Sequence, residues 1–401
     1  MNLPAKTTTD LTRTRIAVLA LFFTNGALFA NWAPRIPSVQ DGLAINATML
    51  GVALTGLGVG GLLFTLTAGT LVDRIGSRRV LLASTAALCA GLVLPALAPT
   101  WWALCLALVV LGAADAAMDV SMNAQGVLVE QRSGRPLLNG FHASWSVGAV
   151  AGGLVGTAAA ALRVPPAVHF LATGAVLGAV VLVVRQRLID DEERAGAVAT
   201  GTKRRGGIGR PAPALLLLGL MVVFAAQIED VPQSWSAVYL SDLGAGPGTA
   251  GLAFVAFSVF MTAGRLVGDR LVERLGPSVV VTGGGLLVAL AFGVGLLVAS
   301  PLPTIIGFAL AGLGASPMFP VAFSMVGRLP GVLPGAGIAT VSLVSRLGFL
   351  AAPLLVGGLV GVTTFQVALS VVVAAGLGAA ALAPRLSRLQ APAGDASRPV
   401  D

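Results

Sequence analysis

Residues 69 to 80 read Gly69-Thr70-Leu71-Val72-Asp73-Arg74-Ile75-Gly76-Ser77-Arg78-Arg79-Val80, a charged segment set between two long apolar ones. The neighbours, about 47–71 and about 79–98, are each long enough to cross a bilayer as a helix, which takes roughly 20 apolar residues. The segment therefore reads as a tight turn between two spans, with Gly69 and Gly76 letting the backbone reverse.

The same balance extends over all 401 residues, of which 56% are hydrophobic and only 10% charged. With a mean hydropathy of +0.91, this lies far from soluble usage, where charged residues make up about a quarter. The formal charge of +8 would favour nucleic acid only if it formed a basic face. Here Lys and Arg stand in short clusters between apolar runs, so nucleic acid is excluded as a partner. Cys89 and Cys105 fall inside apolar runs and read as free thiols, giving neither a disulfide framework nor a metal site. Lys6, Arg13 and Arg15 before an apolar run imitate a signal peptide, but Leu28 precedes Ala30 where a cleavage site wants a small residue. The run from Ile16 is read as an uncleaved first span.

Twelve spans are expected, at about 15–33, 47–71, 79–98, 101–124, 140–162, 166–185, 213–240, 248–268, 279–299, 303–327, 336–360 and 364–384. Prolines punctuate them: Pro34 and Pro37, Pro99, Pro165-Pro166, Pro301 and Pro303, Pro330 and Pro334, and Pro384. Asn46 to Met49 reads as the cap of the second span, which explains the Asn46-Ala-Thr48 sequon without a glycan. Basic residues set orientation, because they stay on the cytoplasmic side. With the N-terminus inside, all 25 Lys and Arg fall on the cytoplasmic side except Arg35, Arg163 and Arg346. The assignment is an N-terminal tail 1–14, a first six-helix bundle 15–185, a linker 186–212, a second bundle 213–384 and a tail 385–401. Both termini are expected in the cytoplasm. The linker carries Asp190-Asp191-Glu192-Glu193 and then Lys203-Arg204-Arg205, which is polar and without apolar period.

The two halves repeat. Leu71-Val72-Asp73-Arg74-Ile75-Gly76 realigns 200 positions on with Leu271-Val272-Glu273-Arg274-Leu275-Gly276, and Gly51 with Gly251. Such duplication marks transporters built from two pseudo-symmetric bundles with substrate near the midplane.

On twelve spans, two halves, a central linker and Gly69-x-Leu71-x-Asp73-Arg74-x-Gly76-x-Arg78-Arg79, the chain resembles the major facilitator superfamily along its whole length. Asn31-Trp32-Ala33-Pro34-Arg35-Ile36-Pro37, Asp119-x-x-x-Asn123 and Gly140-Phe141-His142 resemble a little-characterised bacterial subgroup near the fucose-permease-like porters. Two features of drug/proton antiporters are absent: span four has no Arg, and Gly148, Gly152, Gly153 and Gly156 of span five include no Gly-Pro pair. The resemblance implies an all-α membrane protein and a conformational latch between Asp73, Arg74, Arg78 and span eleven. Asp269, Arg270, Glu273 and Arg274 are the second-half counterpart, whereas Arg79 reads as a cation that only sets topology.

Asp115, Asp119 and Asn123 are spaced four apart and share one face of span four. A carboxylate inside a span costs about 2.5–3.5 kcal/mol on insertion scales, so it faces a cavity or a partner. A protonation or substrate site and a structural hydrogen bond to a neighbouring helix are both open for this pair. Arg346, about ten residues into span eleven, needs a counter-charge, from Asp119 or from an anionic substrate. Glu229 and Asp230, followed by Gln233 and Trp235, lie in the outer part of span seven, where a break in the helix is expected and an outer-gate role competes with substrate binding. Gly312, Gly314, Pro317 and Pro320 must weaken span ten. Asn25, Asn31, His142 and Trp145 complete the polar set, His142 as a gate hydrogen-bond partner rather than a metal ligand. Trp32, Trp101 and Trp102 fit interfacial anchoring. Gly56-x-Gly58-x-x-Gly61 imitates a dinucleotide fingerprint, but inside a span it reads as close helix packing.

The expected function is secondary active transport of a small molecule by alternating access across the cytoplasmic (inner) membrane, through a cavity lined by spans one, four, seven and ten. The absence of a P-loop motif removes direct ATP drive. Protons are the expected coupling ion, since a carboxylate in a low-dielectric cavity can exchange its proton in a usable pH range. Sugars or small metabolites are the favoured cargo. A drug or metabolite exporter and a non-transporting membrane sensor are the alternatives; no cofactor, no enzyme activity and a monomer are expected.

Overall fold

A computed structural model of the chain describes residues 8–134, 137–190, 213–326 and 334–390. The N-terminal tail before Thr8, most of the linker and the tail beyond Gln390 lie outside the described residues. Among those described, 12 helical segments are long and apolar enough to cross a membrane, and they coincide with the expected spans to within a few residues at most ends.

The first span is α1 (Thr8–Ala30), a 3-10 turn at Ala33–Arg35 and α2 (Ile36–Leu43), the break falling where Pro34 and Pro37 stand. It begins within the stretch assigned to the tail. Then follow α3 (Ala47–Ile75), α4 (Ser77–Gly91) with the one-turn α5 (Leu94–Leu97), α6 (Trp101–Ser133), α7 (Leu138–Ala161) and α8 (Pro166–Val184). The second half contains α9 (Pro213–Asp242), α10 (Pro247–Leu275), α11 (Pro277–Val298), α12 (Pro301–Ala315) with α13 (Met318–Val326), α14 (Pro334–Val362) and α15 (Phe365–Gln390). Asn46 caps α3 as expected, its side chain accepting the Met49 N–H at 2.9 Å.

By Cα proximity the chain divides into two units, Met1–Lys203 with Gln233–Ser258, and Arg204–Pro232 with Val259–Asp401. The end of α9 and the start of α10 thus group with the first six spans rather than with their own half. In the first unit α1 packs on α7, α3 on α6, and α4 on both α6 and α8. Glycines make these contacts backbone to backbone: a Cβ at Gly148 or Gly152 would run into the Phe23 or Ala27 carbonyl, and one at Gly60 into the Val109 carbonyl. A Cβ at Gly56 would likewise lie 3.0 Å from the Cys105 carbonyl, so this glycine of the dinucleotide-like pattern serves helix packing. In the second unit α11 packs on α12 and α15, with Gly284 against the Gly314 carbonyl and Gly285 against that of Gly376.

The duplication read from the sequence is present in the backbone. α3 and α10 are each 29 residues long, and each ends at a glycine in the same unusual conformation, Gly76 at φ 90° and ψ 151° and Gly276 at φ 81° and ψ 154°. Side-chain-bearing residues are essentially excluded from that region, so both turns require glycine. The halves differ at span ten, which breaks between Ala315 and Met318 at Pro317, while its counterpart α6 runs 33 residues unbroken.

Candidate functional site

Gly26 of α1 lies so close to the Trp145 carbonyl of α7 that no side chain would fit between them. The neighbouring residue, Asn25, is thereby held against α7 and is only 3% exposed. An indole N–H can only donate. The Trp145 Nε1 gives its proton to Asn25 Oδ1 at 2.8 Å, which leaves the amide nitrogen to donate to Asp115 Oδ1, also at 2.8 Å. Spans one, four and five are thus joined through one hydrogen-bond chain that ends on a carboxylate. One turn before Trp145 stands His142, exposed, with its ring edge-on to Phe22 at 5.2 Å; Phe22 also stacks on Phe141 at 5.6 Å.

Further along α6 the polar residues are turned inward on their own helix or onto the ends of others. Asn123 Nδ2 donates to Asp119 Oδ1 and to the Asp119 carbonyl, both at 2.9 Å, which gives Asp119 a local structural partner. Gln125, fully buried, donates to Ser77 Oγ at 2.8 Å and exchanges two 3.0 Å bonds with the Ile189 backbone. Glu130 Oε2 accepts the Leu137 and Leu138 N–H groups at 2.6 and 3.0 Å, capping α7 with a carboxylate. Neither Gln125 nor Glu130 is singled out by sequence pattern, because amides and acids near helix ends usually face water.

At the far end of the first span Arg35, expected on the side away from the cytoplasm, is 2% exposed and donates from Nη2 to the Val164 carbonyl at 2.6 Å. Beside it, Asn31 is 1% exposed; its Nδ2 donates to the Ala27 carbonyl at 2.7 Å, so its Oδ1 faces His169 Nε2 at 2.8 Å. The imidazole therefore carries a proton on Nε2. His169 was not named from the sequence; a lone histidine three residues into an apolar span is the signal that marks it.

The second unit holds a second acidic centre. Glu229 is 9% exposed and pairs with Arg265 of α10, Nη2 to Oε1 at 3.3 Å. Arg265, one of the cations expected on the cytoplasmic side, sits ten residues before the end of α10. The break expected in span seven is also corrected, since α9 runs through Pro232 without interruption. Gln227 ties α9 to α14 by donating to the Gly348 carbonyl at 2.9 Å, next to the close approach of Gly348 to Ala226. Asp230 is half-buried on α9, Trp235 is fully buried, and Arg346 lies half-buried on α14.

The turn residues spread differently. Asp73 and Arg74 are exposed at the end of α3; Gly69, expected in the turn, lies instead within α3 with open space where a side chain would go, so Gly76 alone makes the reversal, and Arg78 pairs with Asp190 at 2.7 Å. Arg270, Glu273 and Arg274 are exposed on α10, which also carries Asp269. Among the described residues no group of three or more His, Cys, Asp or Glu could hold a metal ion.

The family model described as Major Facilitator Superfamily matches residues 18–241 and 215–401. An uncharacterised MFS-type transporter of Yersinia pestis is 32% identical over 375 residues, covering 93% of this chain and 96% of that protein. An uncharacterised transporter of Sinorhizobium fredii is 34% identical over 378 residues, covering 92% and 97%. Among solved structures, a mutant form of the nucleoside transporter NupG superposes with a TM-score of 0.75 at 12% identity, covering 94% of this chain and 99% of that one.

Proposed function

The chain belongs to the Major Facilitator Superfamily, and we propose that it is a proton-coupled secondary transporter in which Asp115 is the group that protons load. The observation that carries this reading is the chain Trp145–Asn25–Asp115, which sets a carboxylate inside a span with one oxygen oriented by a donor from another helix. Asp119 is the weaker choice because its Asn123 partner comes from its own helix.

The solute is a small neutral polyol, a sugar or a sugar-bearing metabolite. Amide, carboxylate and indole groups together match hydroxyl groups and the apolar face of a sugar ring. The nucleoside named for the solved neighbour carries such a ring, and nucleosides join the list to be tried. Glu229 with Arg265, and Asp230 and Arg346, complete the polar path. Asp73, Arg74 and Arg78, with Asp269, Arg270, Glu273 and Arg274, act as the latch about the Gly76 and Gly276 turns. The protein works as a monomer in the cytoplasmic membrane with both termini inside.

The test is uptake of labelled sugars and nucleosides into proteoliposomes with an imposed pH gradient. Gradient-driven accumulation of at least one solute, abolished by a protonophore and by Asp115→Asn, is expected. Accumulation that ignores the gradient would remove proton coupling.

A further inference from the structure

The start of α4 and the end of α8 lie side by side, and between them opens a cavity of about 400 Å3 lined by Arg78, Arg79, Leu82, Arg185, Gln186 and Asp190. Among the described residues three guanidinium groups and one carboxylate line it, a formal charge of +2. The first turn of α4 carries no acidic residue, so its dipole adds to the positive field. Asp190 already lies across the cavity, bonded to Arg78 at 2.7 Å, but its side chain is 62% exposed, as expected of a rim occupant.

The surface next to the cavity is apolar. The outward face of α4 consists of Ala83, Ala86, Ala87 and Ala90, all exposed, a shallow strip without long side chains. On α8, Leu182 and Val183 are 59% and 79% exposed and form a ridge immediately before Arg185. A soluble anion would use the arginines and leave this strip unused. An amphiphile with a phosphate head would use both, and basic pockets between spans at a membrane face suit anionic lipid headgroups.

We propose that this cavity is the headgroup site of an anionic phospholipid. Its phosphodiester is held by Arg78, Arg79 and Arg185, its acyl chains lie on the alanine face of α4 beside the Leu182–Val183 ridge, and Asp190 is the built-in competitor that the lipid displaces. The site is separate from the transport path around Asp115 and does not depend on proton coupling.

The experiment follows thermal unfolding of the full chain in detergent micelles while dioleoylphosphatidylglycerol, dioleoylphosphatidylcholine or inorganic phosphate is titrated in. A ligand of the folded state raises its stability in proportion to occupancy. Phosphatidylglycerol should give a saturable upward shift; phosphatidylcholine and inorganic phosphate should not. The double variant Arg79→Gln/Arg185→Gln should keep the lipid-free midpoint and lose at least half of the shift. Asp190→Asn should lower the half-saturating phosphatidylglycerol concentration about two- to fivefold, the worth of one exposed ion pair. That arm decides the matter if the double variant fails to fold. Equal shifts with phosphatidylcholine, a full shift with inorganic phosphate, or an undiminished response in the folded double variant would each overturn the proposal, as would an Asp190→Asn variant with unchanged lipid affinity.

Discussion

Asp115 and Glu229 are both carboxylates inside apolar helices. Asp115 accepts from the Asn25 amide, and Glu229 accepts from the Arg265 guanidinium. With Asp115 as the proposed proton-loading group, Asp115→Asn should abolish gradient-driven accumulation while Asp119→Asn leaves most of it. Asn25→Ala removes both its bond to Asp115 and the one it accepts from Trp145; the bond to Asp115 alone, at about 1–3 kcal/mol, should slow uptake by roughly 5- to 150-fold in the same vesicles. Arg265→Gln should lower stability by about 1–3 kcal/mol, less than a fully buried pair would lose because Arg265 is a third exposed. The double variant Glu229→Gln/Arg265→Gln should recover part of that loss in thermal unfolding. Each acid was visible in the sequence as a charge in an apolar run. Their partners were not: Asn25 is 90 positions from Asp115, and the rotation that brings them together is set by the close approach at Gly26. Nor did a charge count show that Arg35 is buried against a carbonyl or that Arg265 meets a carboxylate, because both contacts depend on the tertiary fold.

At the scale of the helices, hydropathy and proline placed nearly every boundary, since a bilayer demands long apolar runs and proline interrupts their ladders. What local pattern did not show is how far a helix continues past the apolar region. α6 extends nine residues beyond its expected end at residue 124, and its last turns supply Gln125 and Glu130 as ties to the ends of α8 and α7. Nor did it show that Pro232 is tolerated within α9, whereas the weakness read from Gly312, Gly314, Pro317 and Pro320 falls where span ten divides. The glycines separate into two classes with opposite predicted behaviour. Gly148→Leu and Gly152→Leu drive side chains into the α1 backbone and should cost about 1–3 kcal/mol or more, seen as a lower unfolding midpoint or loss of folded protein. Gly69→Ala meets open space in a helix and should leave that midpoint unchanged or slightly raised. Gly76→Ala must place a side chain at φ 90° and ψ 151°, a strain of about 1–3 kcal/mol.

For the whole molecule, twelve candidate spans among the described residues, matched glycine turns at Gly76 and Gly276 and the family match along the chain together describe a transporter of the Major Facilitator Superfamily. The duplication was legible because the charged turn recurs at a fixed offset of 200 positions. The grouping of Gln233–Ser258 with the first six spans was not, because that grouping arises from packing such as Phe254 on Ala30, Ala33 and Ala149, all apolar residues with no distinguishing spacing. The halves share these glycine turns but differ in content, span ten dividing at Pro317 and span four running unbroken with its acids. The most direct check is solute accumulation in proteoliposomes at an imposed inward proton gradient, comparing the natural chain with Asp115→Asn at equal reconstitution. Proton-driven accumulation by the natural chain, with only downhill exchange left in Asp115→Asn, is the predicted result; an Asp115→Asn protein that still concentrates solute with the proton gradient would contradict it.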